Sequence, residues 1–212
     1  LVPGGRVGTA SPRREALSRH FAPGQSVELL RGNVPTRVEK CIEGQYDAIV
    51  LARAGLERLK LNPSPLMVFD LDPEHWIPAP AQGALGLQCR ENDGGTRMRL
   101  AALECDRSRL AVSVERRILQ LSEAGCHAPL GAHLVFRNGG AELNAGTQSV
   151  SGRWVAITRS EGIERVEGLG DEGFELLRSA RDEDQSAPVA RPEKGIGSIA
   201  TPAEPWWKEQ TE

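Results

Sequence analysis

Residues 6–21 read RVGTASPRREALSRHF, and this stretch decides the fold of the N-terminal part of the chain. The short segment 6–9 predicts a β-strand. Ser11 is a good helix N-cap, and Pro12 occupies the favoured first position of a helix that continues to Phe21. The segment therefore predicts a strand that is followed at once by a helix.

Two more strand-and-helix units follow in the same order. The second has a strand at 26–30, a turn at 31–33 and a helix at 35–43 that Gly44 ends. The third opens with YDAIVLA at 46–52, an apolar run typical of a parallel strand covered on both faces, and continues as a helix at 54–61. Alternating strands and helices predict a parallel α/β sheet.

A proline-rich segment, 62–80, predicts a boundary between domains. Beyond it we expect a strand at 83–89, helices at 96–102 and 106–122, a small antiparallel sheet within 133–160, and a helix at 171–178. The second half is therefore α+β. From Ser179 onward the composition is rich in Pro, Glu, Ser and Gly and predicts a poorly ordered tail.

Composition narrows the class of protein. The chain is 39% hydrophobic and 26% charged, and no apolar run approaches the roughly 20 residues that span a bilayer. A net charge of -3 gives no overall attraction to nucleic acid or to an acidic membrane. The cysteines form no CxxC pair and have no metal-ligand spacing, which favours a reduced, cytoplasmic protein without a metal site. Because Leu1 is not an initiator methionine, we expect a truncated chain.

Arginines recur where the predicted strands end and the helices begin. Arg13 and Arg14 lie in the first turn of one helix, Arg31 follows a strand, and Arg37 lies in the first turn of the next helix. Cations at a helix N-terminus oppose the macrodipole, and a bound carboxylate or phosphate would explain their recurrence. The alternative is that each arginine is solvated or pairs with a nearby glutamate: Glu15, Glu28 or Glu39.

Cys126 differs from the other cysteines because it lies in a loop bounded by Gly125 and Pro129. A thiol there can be reached by a ligand, and a lowered pKa would make it a nucleophile. On spacing alone a structural cysteine is the better interpretation. Cys41 and Cys89 lie in predicted helix and strand and are interpreted as structural.

Five ordered motifs within residues 1–135 resemble hydroxymethylbilane synthase, also called porphobilinogen deaminase. They are GTASPRR at 8–14, LRGNVPTR at 30–37, EGQYDAIVLARAGLERL at 43–59, QGALGLQCR at 82–90 and AGCHAPLGA at 124–132. Departures from the usual motifs occur at Ala10, Pro12, Pro35, Arg53 and Ala124. Of these, the arginine at 53 is the hardest to reconcile with the family pattern.

The resemblance implies a three-domain protein with two α/β domains of the periplasmic-binding-protein type and a smaller α+β domain. Residues 1–76 would then be most of domain two, 77–100 a segment that returns to domain one, 101–178 domain three, and 179–212 the tail. It also implies an activity, the head-to-tail condensation of four porphobilinogen molecules into linear hydroxymethylbilane with loss of ammonia. The full-length protein would be a cytoplasmic monomer, with a plastid location not excluded.

The resemblance also implies roles for particular residues. Cys126 would carry the dipyrromethane cofactor through a thioether. The residues near the cofactor's carboxylates would be Thr9, Ser11, Arg13, Arg14, Arg37 and Gly83. The residues that handle the incoming pyrrole or the growing chain would be Arg31, Arg37 and Arg58, with Arg116 a weaker candidate.

The general acid/base of the family is an aspartate in domain one, and no acidic residue of this chain matches it. The resemblance therefore predicts that the chain alone is inactive. Two alternatives stay open: a non-catalytic anion-binding module of the periplasmic-binding-protein type in which Cys126 is incidental, and a degenerate fragment that folds only in part.

Overall fold

The computed structural model describes residues 4–123 and 128–184. Its first half is a parallel α/β unit and its second half is an antiparallel sheet packed against two helices. In chain order the elements are β1 (Arg6–Thr9), α1 (Pro12–Phe21), β2 (Ser26–Leu29), α2 (Val34–Ile42), β3 (Ala48–Ile49), α3 (Arg53–Leu59), α4 (Gly94–Ala101), α5 (Asp106–Leu121), β4 (Gly131–Arg137), β5 (Gly140–Gln148), β6 (Trp154–Gly162), a 3₁₀ helix (Ile163–Gly168) and α6 (Leu169–Glu183). The mixed α/β composition confirms the coarse prediction.

The parallel sheet has the order β2-β1-β3, with β1 in the centre. The predicted start of α1 is confirmed, and α2 begins at Val34, one residue before its predicted start. Ser11 caps α1 by accepting a hydrogen bond from the Arg14 N–H, and Asn33 caps α2 by accepting one from the Thr36 N–H at 2.9 Å. Pro12 is the first residue of α1 and Pro35 is the second residue of α2, positions at which the missing N–H of proline costs no hydrogen bond.

The prediction for the third strand is wrong in part, and the strand predicted at 83–89 is wrong. Only Ala48 and Ile49 of YDAIVLA form a strand, and both are half-buried, because β3 lies at an edge of the sheet and pairs with β1 alone. Residues 83–89 form no strand, and Leu85 and Leu87 are exposed. A strand needs a partner for its main-chain groups, and none is paired with this segment in the described part of the chain.

The antiparallel sheet has the order β4-β5-β6 and packs on α5 and α6. Ile118, Leu143, Val166 and Leu169 are fully buried at its centre. Each such side chain stabilises the fold by about 1.5–3 kcal/mol relative to an exposed one. The last helix is longer than predicted, since α6 continues to Glu183. Residues 179–183, predicted to begin the tail, are therefore helical, and the rest of the predicted tail from 185 onward lies outside the described residues.

A second core joins the two halves. Trp154 of β6 packs with Ala16 and Leu17 of α1 and with Ile77, and the Ala132 N–H donates to the carbonyl of Pro78 at 3.0 Å. These contacts attach the segment around Ile77 both to α1 and to β4. In the described ranges, no helix is both long and apolar enough to cross a membrane.

Candidate anion-binding site

The site begins at the turn between β1 and α1. Thr9, the last residue of β1, is buried, and its Oγ1 accepts a hydrogen bond from the Ser11 N–H at 3.1 Å. The Ser11 Oγ accepts in turn from the Arg14 N–H at 3.4 Å. Two of the predicted cofactor-binding residues therefore order the N-terminus of α1, where main-chain N–H groups and the helix dipole favour an anion.

Arg13 is only 4% exposed, which is unusual for an arginine without a carboxylate partner. Its Nη1 donates to the carbonyl of Ile77 at 2.6 Å, and its Nη2 donates to Oε1 of Gln82 at 3.2 Å. Burial, and to a smaller extent the charge of Arg14, lower its pKa to about 10. Arg13 therefore stays charged at neutral pH and is held in place by neutral acceptors.

Arg14 and Arg37 extend this positive cluster. The Arg14 Nη1 donates to the carbonyl of Val50 at 2.7 Å, and the Arg37 Nε donates to the carbonyl of Gly32 at 2.7 Å. Burial lowers the pKa of Arg14, and the positive charge of Arg37 lowers it as well. Side chains from the starts of α1 and α2 therefore meet at one edge of the sheet, as predicted for the carboxyl ends of parallel strands.

Within residues 4–123 and 128–184, none of these three arginines takes part in an ion pair. Glu15 pairs instead with Arg19, at 2.7 Å. The alternative that nearby glutamates neutralise the cluster is therefore wrong for Glu15. Partly buried cations that repel one another and lack a counterion suit a ligand with several carboxylates.

The other predicted residues lie elsewhere in the fold. Gly83 has φ +89° and is exposed in the turn that follows Gln82. Arg31 is exposed between β2 and α2, whereas Arg58 lies in the last turn of α3, the end remote from the strand edge. Arg116 is exposed on α5. Cys126 lies outside the described residues, so its role stays a prediction.

Arg53, the departure hardest to explain from the sequence, is the first residue of α3. Its guanidinium pairs with Glu57 at 2.6 Å and with Asp70 at 2.8 Å, and these partners raise its pKa. Unlike Arg13 and Arg14, it already has carboxylate partners. It therefore adds no unpaired cation to the site.

Sequence reasoning missed Glu115, a buried carboxylate in α5. Its Oε2 accepts from the Ala81 N–H at 2.6 Å and its Oε1 accepts from the Leu134 N–H at 2.9 Å. Burial raises the pKa of Glu115, and these two hydrogen bonds oppose the rise. One signal could have found it: Glu115 stands beside Val114 and three residues before Ile118, on the apolar side of an amphipathic helix.

The parallel sheet and the arginine cluster at its edge define the class of protein, an α/β protein with a candidate site for anions. Residues 1–98 match the family model described as porphobilinogen deaminase, dipyromethane cofactor binding domain. The chain is 38% identical over 170 residues to porphobilinogen deaminase of Coxiella burnetii, covering 78% of this chain and 55% of the relative. It is 38% identical over 181 residues to the same enzyme of Syntrophobacter fumaroxidans, covering 84% and 58%.

A third relative, porphobilinogen deaminase of Xanthomonas euvesicatoria, is 40% identical over 168 residues, covering 79% of this chain and 55% of the relative. The chain belongs to the porphobilinogen deaminase family, as its sequence motifs predict, and it contains the dipyrromethane cofactor binding domain of that family. It spans a little over half the length of these curated relatives.

Proposed function

We propose that this chain is part of a hydroxymethylbilane synthase. This transferase of tetrapyrrole biosynthesis condenses four porphobilinogen molecules head to tail, with release of ammonia. The observation that carries the proposal is the cluster of Arg13, Arg14 and Arg37, which has no carboxylate partner among the described residues. Porphobilinogen bears two carboxylates, so each pyrrole that is added to the growing pyrrole product would bring new anionic groups to this edge of the sheet.

The residues present fit the dipyrromethane cofactor, whose pyrrole carboxylates would neutralise the buried guanidinium groups. Bound to Cys126 through a thioether, dipyrromethane supplies the primer on which the chain is extended. Arg13, Arg14 and Arg37 would bind its carboxylates together with Thr9, Ser11 and Gly83. Arg31, Arg37 and Arg58 would orient the incoming pyrrole.

We also propose the domain organisation that the family implies. Residues 1–76 are most of an α/β domain two of the periplasmic-binding-protein type, 77–100 return to domain one, and 101–178 form the cofactor-carrying domain three. Support comes from the segment 83–101, where Leu85, Leu87 and Met98 are exposed and α4 has no buried residue. Apolar side chains in that number are typical of a surface that another domain covers. We place the full-length protein in the cytoplasm as a monomer.

A chimera tests the proposal. This chain would be joined to the domain-one segment of the Xanthomonas euvesicatoria relative, purified, and digested for mass spectrometry. We expect a dipyrromethane adduct on the peptide that contains Cys126 and consumption of porphobilinogen by the chimera. The Cys126→Ser variant should show neither, and the Arg14→Ala variant should lose turnover.

Measurements of porphobilinogen binding and of thermal unfolding separate the alternatives. Binding of porphobilinogen without an adduct on Cys126 would indicate a non-catalytic anion-binding module. A chain that unfolds without a cooperative transition would indicate a degenerate fragment.

A further inference from the structure

Among the described residues, Glu115 is a buried acidic residue that the proposed chemistry does not use. It is 6% exposed, and each of its carboxylate oxygens accepts one main-chain N–H, from Ala81 and from Leu134. Within 4–123 and 128–184, the nearest group that could carry a positive charge is His133, whose Nδ1 lies 3.8 Å from Oε1. Burial lowers the pKa of His133 and so favours its neutral form. Main-chain N–H groups, rather than a cation, therefore hold the Glu115 carboxylate in place.

The turn at 79–83, whose Ala81 N–H donates to Glu115, has a backbone conformation that is unfavourable for most residues. Ala81 has φ +63° and Gly83 has φ +89°. A left-handed conformation is unfavourable for alanine and persists only where its surroundings hold it in place. The 2.6 Å hydrogen bond from the Ala81 N–H to Glu115 supplies such a constraint.

The same turn holds Arg13. The neighbour of Ala81, Gln82, accepts from the Arg13 Nη2, and the carbonyl of Ile77, a few residues earlier, accepts from its Nη1. A continuous path of hydrogen bonds and main chain thus runs from Glu115 in α5 through Ala81 and Gln82 to the guanidinium at the start of α1. Both acceptors of Arg13 belong to the segment that Glu115 attaches to α5 and β4.

We propose that Glu115 is a positioning residue of the anion-binding site, which acts by holding the 79–83 turn so that Gln82 and Ile77 orient the guanidinium of Arg13. The proposal rests on the proposed function in one respect only, that Arg13 contacts the anion. Glu115 lies in the second half of the chain, whereas the arginine cluster lies in the first half, so the proposal gives the second half a role in anion binding.

NMR of the 212-residue chain tests the proposal, with citrate as a tricarboxylate probe. Glutamine keeps the shape of Glu115 but has a single acceptor oxygen, so Glu115→Gln leaves one of the two N–H groups unsatisfied. We expect this variant to shift the Arg13 Nε–Hε resonance and to weaken citrate binding about fivefold, the equivalent of one lost hydrogen bond. Ile118→Val is the matched control, since it disturbs the same buried helix without touching the turn, and it should stay within about twofold of the wild type.

A double variant separates positioning from general destabilisation. If Glu115 acts through the turn, Gln82→Ala combined with Glu115→Gln should weaken citrate binding little more than the larger single change, because the two residues share one path. Should Glu115→Gln fail to fold, Glu115→Asp withdraws both oxygens from the turn and carries the same expectation.

Two results would overturn the proposal: an unshifted Arg13 resonance in the Glu115 variants, or effects on citrate that add fully in the double variant. If citrate does not bind the wild type at all, the proposed function fails. The response of the Arg13 resonance then decides the role of Glu115 by itself.

Discussion

The guanidinium groups of Arg14 and Arg37 lie close enough to interact although they belong to different helices. Burial lowers the pKa of Arg14, and the charge of Arg37 adds to the effect. Each donates to a main-chain carbonyl, of Val50 and of Gly32, rather than to a carboxylate. The protein therefore maintains a repulsion that a bound polycarboxylate would relieve, as binding sites commonly do at some cost in stability.

Removing one of these charges should separate binding from stability. In Arg37→Gln the relief of repulsion offsets the lost hydrogen bond to Gly32, so the free energy of unfolding without ligand should change by less than about 1 kcal/mol. Citrate binding should weaken about tenfold, because a charge-assisted contact is lost. Thermal unfolding with and without citrate measures both. Arg19→Gln, which breaks the exposed pair with Glu15, is the control and should leave citrate binding unchanged.

The second core should be sensitive to one added methyl group. A Cβ on Gly146 would lie 2.5 Å from the ring of Trp154, closer than real contacts allow. Gly146→Ala should therefore lower the free energy of unfolding by about 1–3 kcal/mol, the usual cost of overpacking. Gly86, which has open space around it, offers the matched change, and Gly86→Ala should be neutral or slightly stabilising. Equal stability of the two variants in urea denaturation would contradict this packing.

Glu115 should make stability depend on pH with a defined sign. Its pKa is raised by burial above the ordinary value of 4.5, so the folded state keeps its proton to a higher pH than the unfolded state. The free energy of unfolding should therefore fall as pH rises from about 4.5 through the raised pKa. Glutamine does not titrate, so Glu115→Gln removes this contribution. The free energy of unfolding of the wild type minus that of the variant should therefore decrease as pH rises over that window. Chemical denaturation at a series of pH values measures it, and a constant difference would contradict the raised pKa.

The cysteines should differ in reactivity. Cys105 is exposed, and a hydrogen bond from the Ser108 side chain, with others from main-chain N–H groups, lowers its pKa. Cys41 is buried. Burial raises its pKa, and the negative charge of Asp47 adds to this rise. Because the thiolate is the reactive form, iodoacetamide should modify Cys105 before Cys41. Ser108→Ala should slow the reaction of Cys105, whereas both thiols should react alike in denaturant. Peptide mass spectrometry follows each site.

The chain by itself should not turn over porphobilinogen. The sequence motifs predict that no acidic residue of the chain matches the family's catalytic aspartate, and the chain spans 55–58% of the relatives named above. A colorimetric assay of porphobilinogen consumption, with the full-length Xanthomonas euvesicatoria relative as the positive control, checks this expectation. Turnover by the isolated 212-residue chain would show that a residue within it performs the acid/base step.

Some of the structure could be predicted residue by residue. The start of α1 follows from Ser11 and Pro12, and that of α2 follows from Pro35 to within one residue, because caps and proline act within a single turn of helix. The segment 83–89 has the composition of a strand and yet forms none. Composition records which residues prefer extended structure, but a strand also needs a neighbour to pair with, and that depends on the rest of the fold.

The sequence by itself determined the family, the alternation of strands and helices along the first part of the chain, and the arginines at the start of α1 and α2. These features depend on local patterns and on motifs that can be read along the chain. Only the tertiary structure decided that Arg13 is buried against Ile77 and Gln82, that Arg53 is already paired, and that Glu115 holds the turn beside them. The reason is physical: burial and hydrogen-bond partners depend on residues tens of positions apart, which come together only when the two halves of the chain pack around Ile77 and Trp154.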